Sequence, residues 1–167
     1  MSIHEKENRI LKQLNEAIDE GIRRSLIILR GPFQSGKTGI LKKLIQERQL
    51  QERRCYLNLN QYLIKKVNEE IDTKSELNYE VLSRLKAKTS NLFKKVIEEY
   101  LSEYFVKNDF LVIDAVELLI NYQLNLPQVA LPWFGERKTI IIAVPYDEYH
   151  QIFPDWSFNL GKVIEMN

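Results

Sequence analysis

The segment Gly31-Pro32-Phe33-Gln34-Ser35-Gly36-Lys37-Thr38 sets four residues between two glycines and follows the second with lysine and threonine. Residues of these types in this order hold phosphate. Gly31 and Gly36 are expected to give the backbone conformations that a Cβ would block. The loop's N–H groups can then converge on phosphate oxygens, and the start of the following helix adds its dipole and unpaired donors. Lys37 supplies a cation for β- and γ-phosphates, and Thr38 a hydroxyl for Mg²⁺. The pattern is G-x-x-x-x-G-K-T, the P-loop or Walker A motif. Its expected phosphate-contacting set is Gly31, Pro32, Phe33, Gln34, Ser35, Gly36, Lys37, Thr38 and Gly39.

A second group of chemical interest lies downstream. Phe110-Leu111-Val112-Ile113-Asp114 is four apolar residues ending in a carboxylate, the Walker B pattern. Asp114 at the carboxyl end of a buried strand can hold Mg²⁺ alongside Thr38, directly or through water, or cap the helix that follows. The residue after it is Ala115, where a glutamate would orient an attacking water. Glu117 lies one helical turn on. It either reaches the γ-phosphate as a catalytic group or is a solvated helix residue. Lys37, Asp114 and Glu117 are thus the candidate catalytic residues. Arg137, within Glu136-Arg137-Lys138, is a candidate arginine finger or a surface charge. Tyr146 and Asp147 are the nearest polar groups to the end of the next strand.

These groups need elements to position them. Ser25 to Arg30 reads as a buried strand, and Ile40, Leu41, Leu44 and Ile45 as the apolar face of a helix from about 36 to the high forties. The stripe Ile3, Ile10, Leu11, Leu14, Ala17, Ile18 and Ile22 predicts an N-terminal amphipathic helix over 1–22. Arg54 to Leu59 is a second strand, with Asn60 as cap of a short helix. A long helical pattern follows, opened by Thr73 and Glu76 at capping-box spacing and broken near Thr89-Ser90-Asn91. Phe110 to Asp114 is the third strand and Ala115 to Tyr122 a helix. Residues 125–135, with Pro127 and Pro132, read as irregular loop. Thr139 to Val144 is the fourth strand, ended by Pro145. Residues 146–161 form an aromatic-rich loop, and Lys162 to Met166 a fifth strand.

The whole reads as one α/β domain over 1–167: a three-layer αβα core with a five-stranded parallel sheet joined by right-handed crossovers. The order of motifs resembles the additional-strand ATPases of the AAA+ and STAND type. That resemblance implies sheet order 5-1-4-3-2, with strand four between the Walker A and Walker B strands. It also implies ATP and Mg²⁺ as cofactors. The sequence ends after strand five, so the helical lid of AAA+ proteins is expected to be absent. No Asn-Lys-x-Asp guanine motif occurs. A small-molecule kinase is an alternative, although residues 146–161 contain no arginine for a lid.

Bulk properties narrow the partners. Twenty-four Lys and Arg against 23 Asp and Glu give a net charge of +1, which exerts no global pull on nucleic acid or membrane. Lysine pairs at 42–43, 65–66 and 94–95 are interleaved with acidic residues and read as solvated helix faces rather than a DNA track. Cys55 is the single cysteine, a small buried hydrophobe. No secretory leader or membrane span is recognisable, so a cytoplasmic protein is expected.

The chain also resembles the BrxF-like P-loop proteins of type III BREX phage-defence systems. The resemblance rests on Gly31 to Thr38, on Leu57-Asn58-Leu59-Asn60, on Ile113-Asp114-Ala115-Val116-Glu117-Leu118-Leu119, and on Ile141-Ile142-Ala143-Val144-Pro145 followed by Tyr149. It implies an ATPase-like component of an anti-phage complex. Its partners would be itself or other BREX proteins, including a large ATPase, a methyltransferase and an alkaline-phosphatase-like protein. Ala115 would then be a family trait.

Overall fold

A computed structural model describes residues 2–20, 25–70, 79–133, 138–146 and 161–166. The elements run α1 (Ile3–Glu20), β1 (Ser25–Pro32), α2 (Lys37–Glu47), α3 (Glu52–Cys55), β2 (Tyr56–Asn58), α4 (Leu59–Glu70) and α5 (Tyr79–Tyr104). There follow β3 (Phe110–Asp114), α6 (Glu117–Asn121), α7 (Leu126–Ala130), a 3-10 turn (Leu131–Trp133), β4 (Thr139–Tyr146) and β5 (Lys162–Glu165).

All four strand pairings are parallel, and the sheet order is β2-β3-β4-β1-β5. Read from the other edge this is the expected 5-1-4-3-2. The central strands are buried on both faces, so their sequences are continuously apolar and their side chains alternate between two cores. Leu26, Ile28, Leu111, Ile113, Ile140, Ile142 and Val144 face one core, shared with Leu63 of α4, Phe93, Ile97 and Leu101 of α5, Leu119 of α6 and Leu126 of α7. Ile27, Leu29, Val112, Ile141 and Ala143 face the other, shared with Ile10, Leu11 and Leu14 of α1 and Ile40, Leu41 and Leu44 of α2. The molecule is therefore a helix–sheet–helix sandwich, the architecture of a P-loop NTPase core.

Several boundaries differ from those the sequence suggests. β1 runs on through Gly31 and Pro32, because β4 does not stop at Pro145: Gly31 pairs with Pro145 and Pro32 with Tyr146. Proline lacks a donor but leaves its carbonyl to the ladder. β2 is only Tyr56–Asn58, since Glu52–Cys55 already form a helical turn. Asn58 rather than Asn60 caps α4, its Oδ1 accepting from the Gln61 N–H at 3.0 Å. Thr89-Ser90-Asn91 does not break α5, which is continuous for 26 residues. There Ser90 Oγ donates to the Tyr122 carbonyl at 3.3 Å and Phe93 packs in the core, so packing overrides weak helix propensity. The span read as irregular loop contains α7, whose start Asn125 caps by accepting from the Gln128 N–H at 3.1 Å. Thr73, Glu76, Arg137, Asp147 and Tyr149 lie outside the described residues, as do most aromatics of 146–161.

Candidate functional site

Ligands of open parallel sheets bind outside the carboxyl ends of the strands, and both sequence motifs are found there. β1 delivers the loop Phe33–Gly36, and α2 begins at Lys37. Gly36 has φ +86°, and a Cβ there would meet nothing within 4 Å. Its requirement for glycine is therefore conformational. Gly31 is glycine for a different reason from the one the motif suggests. Its backbone is ordinary strand, but a Cβ would lie 2.8 Å from Met166 Cβ and 2.9 Å from Ser35 Oγ. Close packing against the end of β5 excludes a side chain. Gln34 also takes a left-handed conformation, with φ +59°. Phe33, at 51% exposure, stands out from the loop, and Gly39 lies in the first turn of α2 with open space around it.

Lys37 folds back over the loop. Its Nζ donates to the carbonyls of Pro32 and Gly31 at 2.6 and 2.9 Å and to Ser35 Oγ at 3.2 Å. Burial lowers its pKa, and the negative fields of Asp114 and Glu117 oppose that shift. An anion on the loop would add a further opposing term.

Asp114 is 7% exposed and accepts hydrogen bonds at both oxygens. Oδ2 accepts from Thr38 Oγ1 at 2.6 Å and from the Tyr56 hydroxyl at 2.7 Å. Oδ1 accepts from the Ala115 N–H at 2.8 Å. Ala115 achieves this with φ +56°, a conformation that costs an alanine roughly 1–2 kcal/mol. Thus Thr38 from α2 and Asp114 from β3 converge across β4. Two hard oxygen ligands side by side fit Mg²⁺, which keeps most of its shell as water and phosphate oxygen. Among the described residues no cluster of three or more His, Cys, Asp or Glu offers an all-protein metal cage.

Glu117 is neither loose in solvent nor bonded to the Thr38–Asp114 pair. Its Oε2 accepts from Asn60 Nδ2 at 2.7 Å. Asn60 in turn accepts the Leu118 N–H at 3.1 Å, and its own N–H donates to the Ala115 carbonyl at 2.9 Å. This ties the β3–α6 turn to the start of α4. Lys42, Lys43, Lys66, Lys94 and Lys95 each face a carboxylate: Glu52, Glu7, Glu69, Glu98 and Glu99. Cys55 is buried. No helix among the described residues is long and apolar enough to cross a membrane.

Sequence reasoning did not find Tyr56 or the clamp by Asn60. Tyr56 sits in a three-residue strand whose register, Tyr56 beside Val112 and Asn58 beside Asp114, is a tertiary fact without a local signal. The only hint was that a second strand must end beside the Walker B strand.

No protein-family model matches this chain, and no curated protein matches it in sequence. Among solved structures, Cdc6p from Pyrobaculum aerophilum is similar with a TM-score of 0.47 at 19% identity, over 95% of this chain and 44% of that protein. PCH-2 from C. elegans is similar with a TM-score of 0.45 at 17% identity, over 99% of this chain and 39% of that one. The chain spans less than half the length of either.

Proposed function

We propose that this chain is one nucleotide-binding domain that holds ATP with Mg²⁺ and hydrolyses it slowly until a second subunit or partner completes the site. The observation that carries this is the 2.6 Å contact between Thr38 of the phosphate loop and Asp114 of β3.

The chain's own residues would act in sequence. The N–H groups of the loop and of the first turn of α2 receive the phosphates. Lys37 exchanges its three neutral acceptors on the loop for anionic oxygens, which strengthens each hydrogen bond. Thr38 and Asp114 hold the cation, Thr38 by its oxygen. Bound Mg²⁺ would neutralise charge on the β- and γ-phosphate oxygens. Glu117, one turn beyond Asp114, is the carboxylate assigned to positioning a water, and Asn60 restrains it through one hydrogen bond. That restraint, together with Ala115 after Asp114, is why the isolated chain is expected to turn over slowly.

A second reading, a nucleotide-gated interaction module with little turnover, draws on the same hydrogen bond between Asn60 and Glu117. The setting, assembly with itself or with other proteins of a bacterial BREX defence complex, rests on the sequence resemblance alone. The paired lysines weigh against a DNA track, and among the described residues nothing at the site suggests a metabolite acceptor for a kinase.

The test is ATP turnover per subunit across protein concentration. Partner-completed hydrolysis predicts activity rising steeply with concentration, abolished in Lys37→Ala and Asp114→Ala, and lowered about a hundredfold in Glu117→Gln with ATP affinity retained. Turnover that survives Lys37→Ala overturns the reading. Background turnover at every concentration, with ATP changing the size of the assembly, selects the gated module instead.

A further inference from the structure

Asp114 has an acceptor network larger than its motif requires. Beyond Thr38 and the Ala115 N–H, a third donor reaches it: the Tyr56 hydroxyl, at 2.7 Å from Oδ2. This oxygen therefore takes two hydrogen bonds, one from α2 and one from β2. The Tyr56 ring is itself fixed. Lys42 Nζ lies 5.5 Å from its centroid and is held by Glu52 at 3.1 Å. The ring also borders an open cavity of about 690 Å³ lined by Gln51, Glu52 and Arg53, so the hydroxyl points inward from a solvated rim.

A carboxylate at the end of a side chain turns easily about its last torsion. The direction in which Thr38 donates its proton depends on where Oδ2 stands. Because Thr38 Oγ1 gives its hydrogen to Oδ2, its lone pairs face away from Oδ2. With Thr38 drawn to a cation, the Tyr56 hydroxyl on Oδ2 and the Ala115 N–H on Oδ1 would remain to hold the carboxylate.

We propose that Tyr56 is a positioning residue of the Mg²⁺ site: its hydroxyl locks the Asp114 carboxylate so that Thr38 presents its oxygen to the cation. This rests on the reading of the site as one for ATP and Mg²⁺. Groups that hold a metal's ligands in place are worth about tenfold or more in metal affinity.

The test is ATP affinity of the full chain by calorimetry, with Mg²⁺ and with excess EDTA. Wild type should bind more tightly with Mg²⁺. Tyr56→Phe keeps the ring and loses only the hydroxyl. It should bind ATP in EDTA within about twofold of wild type, while the gain on adding Mg²⁺ shrinks about tenfold. In an Asp114→Ala background the same substitution should change neither value. A full Mg²⁺ gain in Tyr56→Phe overturns the proposal. So does an equal loss with and without Mg²⁺, which would mark Tyr56 as structural only. Absence of ATP binding by wild type would instead overturn the functional reading beneath it.

Discussion

Burial raises the pKa of four of the described tyrosines, and this gives the fold a measurable alkaline signature. Tyr100 is pushed up to about 12, first by burial and then by the neighbouring Tyr62. Tyr56, Tyr62 and Tyr104 move in the same direction, again chiefly through burial. The unfolded chain loses these protons near the ordinary value of 10, whereas the folded chain keeps them. Above pH 10 the native state therefore binds more protons than the unfolded state, and stability falls as pH rises. The contribution is complete below pH 10 and is lost between 10 and about 12. Lys37, with its lowered pKa, has the opposite slope but is a single group. Urea midpoints measured from pH 8 to 11.5 should be level up to about 10 and then decline. Tyr100→Phe should flatten the decline, and an unchanged slope in that variant would show that Tyr100 is not its source.

At the scale of elements, α1 and α2 together cover one face of the sheet while α4 to α7 cover the other. Leu14 of α1 is fully buried in that smaller core, and Arg48 just after α2 bonds Asn15 at 2.8 Å and Asp19 at 2.6 Å. Leu14→Ala should lower unfolding free energy by about 3 kcal/mol through lost burial and the cavity left behind. ATP affinity should stay within about twofold, because α1 does not contribute to the loop. A denaturant melt and a titration on the same sample check both halves. Elements of this kind were legible in the sequence wherever one residue pattern sufficed. The α1 stripe, the apolar β1, β3 and β4, and the glycine loop all follow from local period and type. The 5-1-4-3-2 order was implied by the resemblance to additional-strand ATPases, and the pairing of the strands agrees with it. What was not legible depends on neighbours distant in sequence. The unbroken α5 is held by packing of Phe93 and by the Ser90 contact to Tyr122. The extension of β4 through Pro145 needs β1 beside it. The requirement at Gly31 comes from Met166, at the other end of the chain. The same holds for the site: Lys37, Thr38 and Asp114 could be named from motifs, whereas Tyr56 and Asn60 join it only through strand register and a helix start.

For the whole molecule, the sheet brings a loop from residues 31–38 and a carboxylate from residue 114 to the carboxyl ends of its strands, and β4 sets the distance between them. The proposed consequence is a site able to hold nucleotide but short of groups for fast hydrolysis, which ties its output to assembly. That idea depends first on the nucleotide being held as described. The most direct measurement is a calorimetric titration of ATP, with and without Mg²⁺, into wild type and Lys37→Ala at equal concentration. The predicted result is binding by wild type that Mg²⁺ tightens, and a loss of about a hundredfold or more in Lys37→Ala, the result expected when a charge-assisted phosphate contact of about 3 kcal/mol is removed. Binding that ignores both Lys37 and Mg²⁺, or no binding at all by wild type, would contradict it.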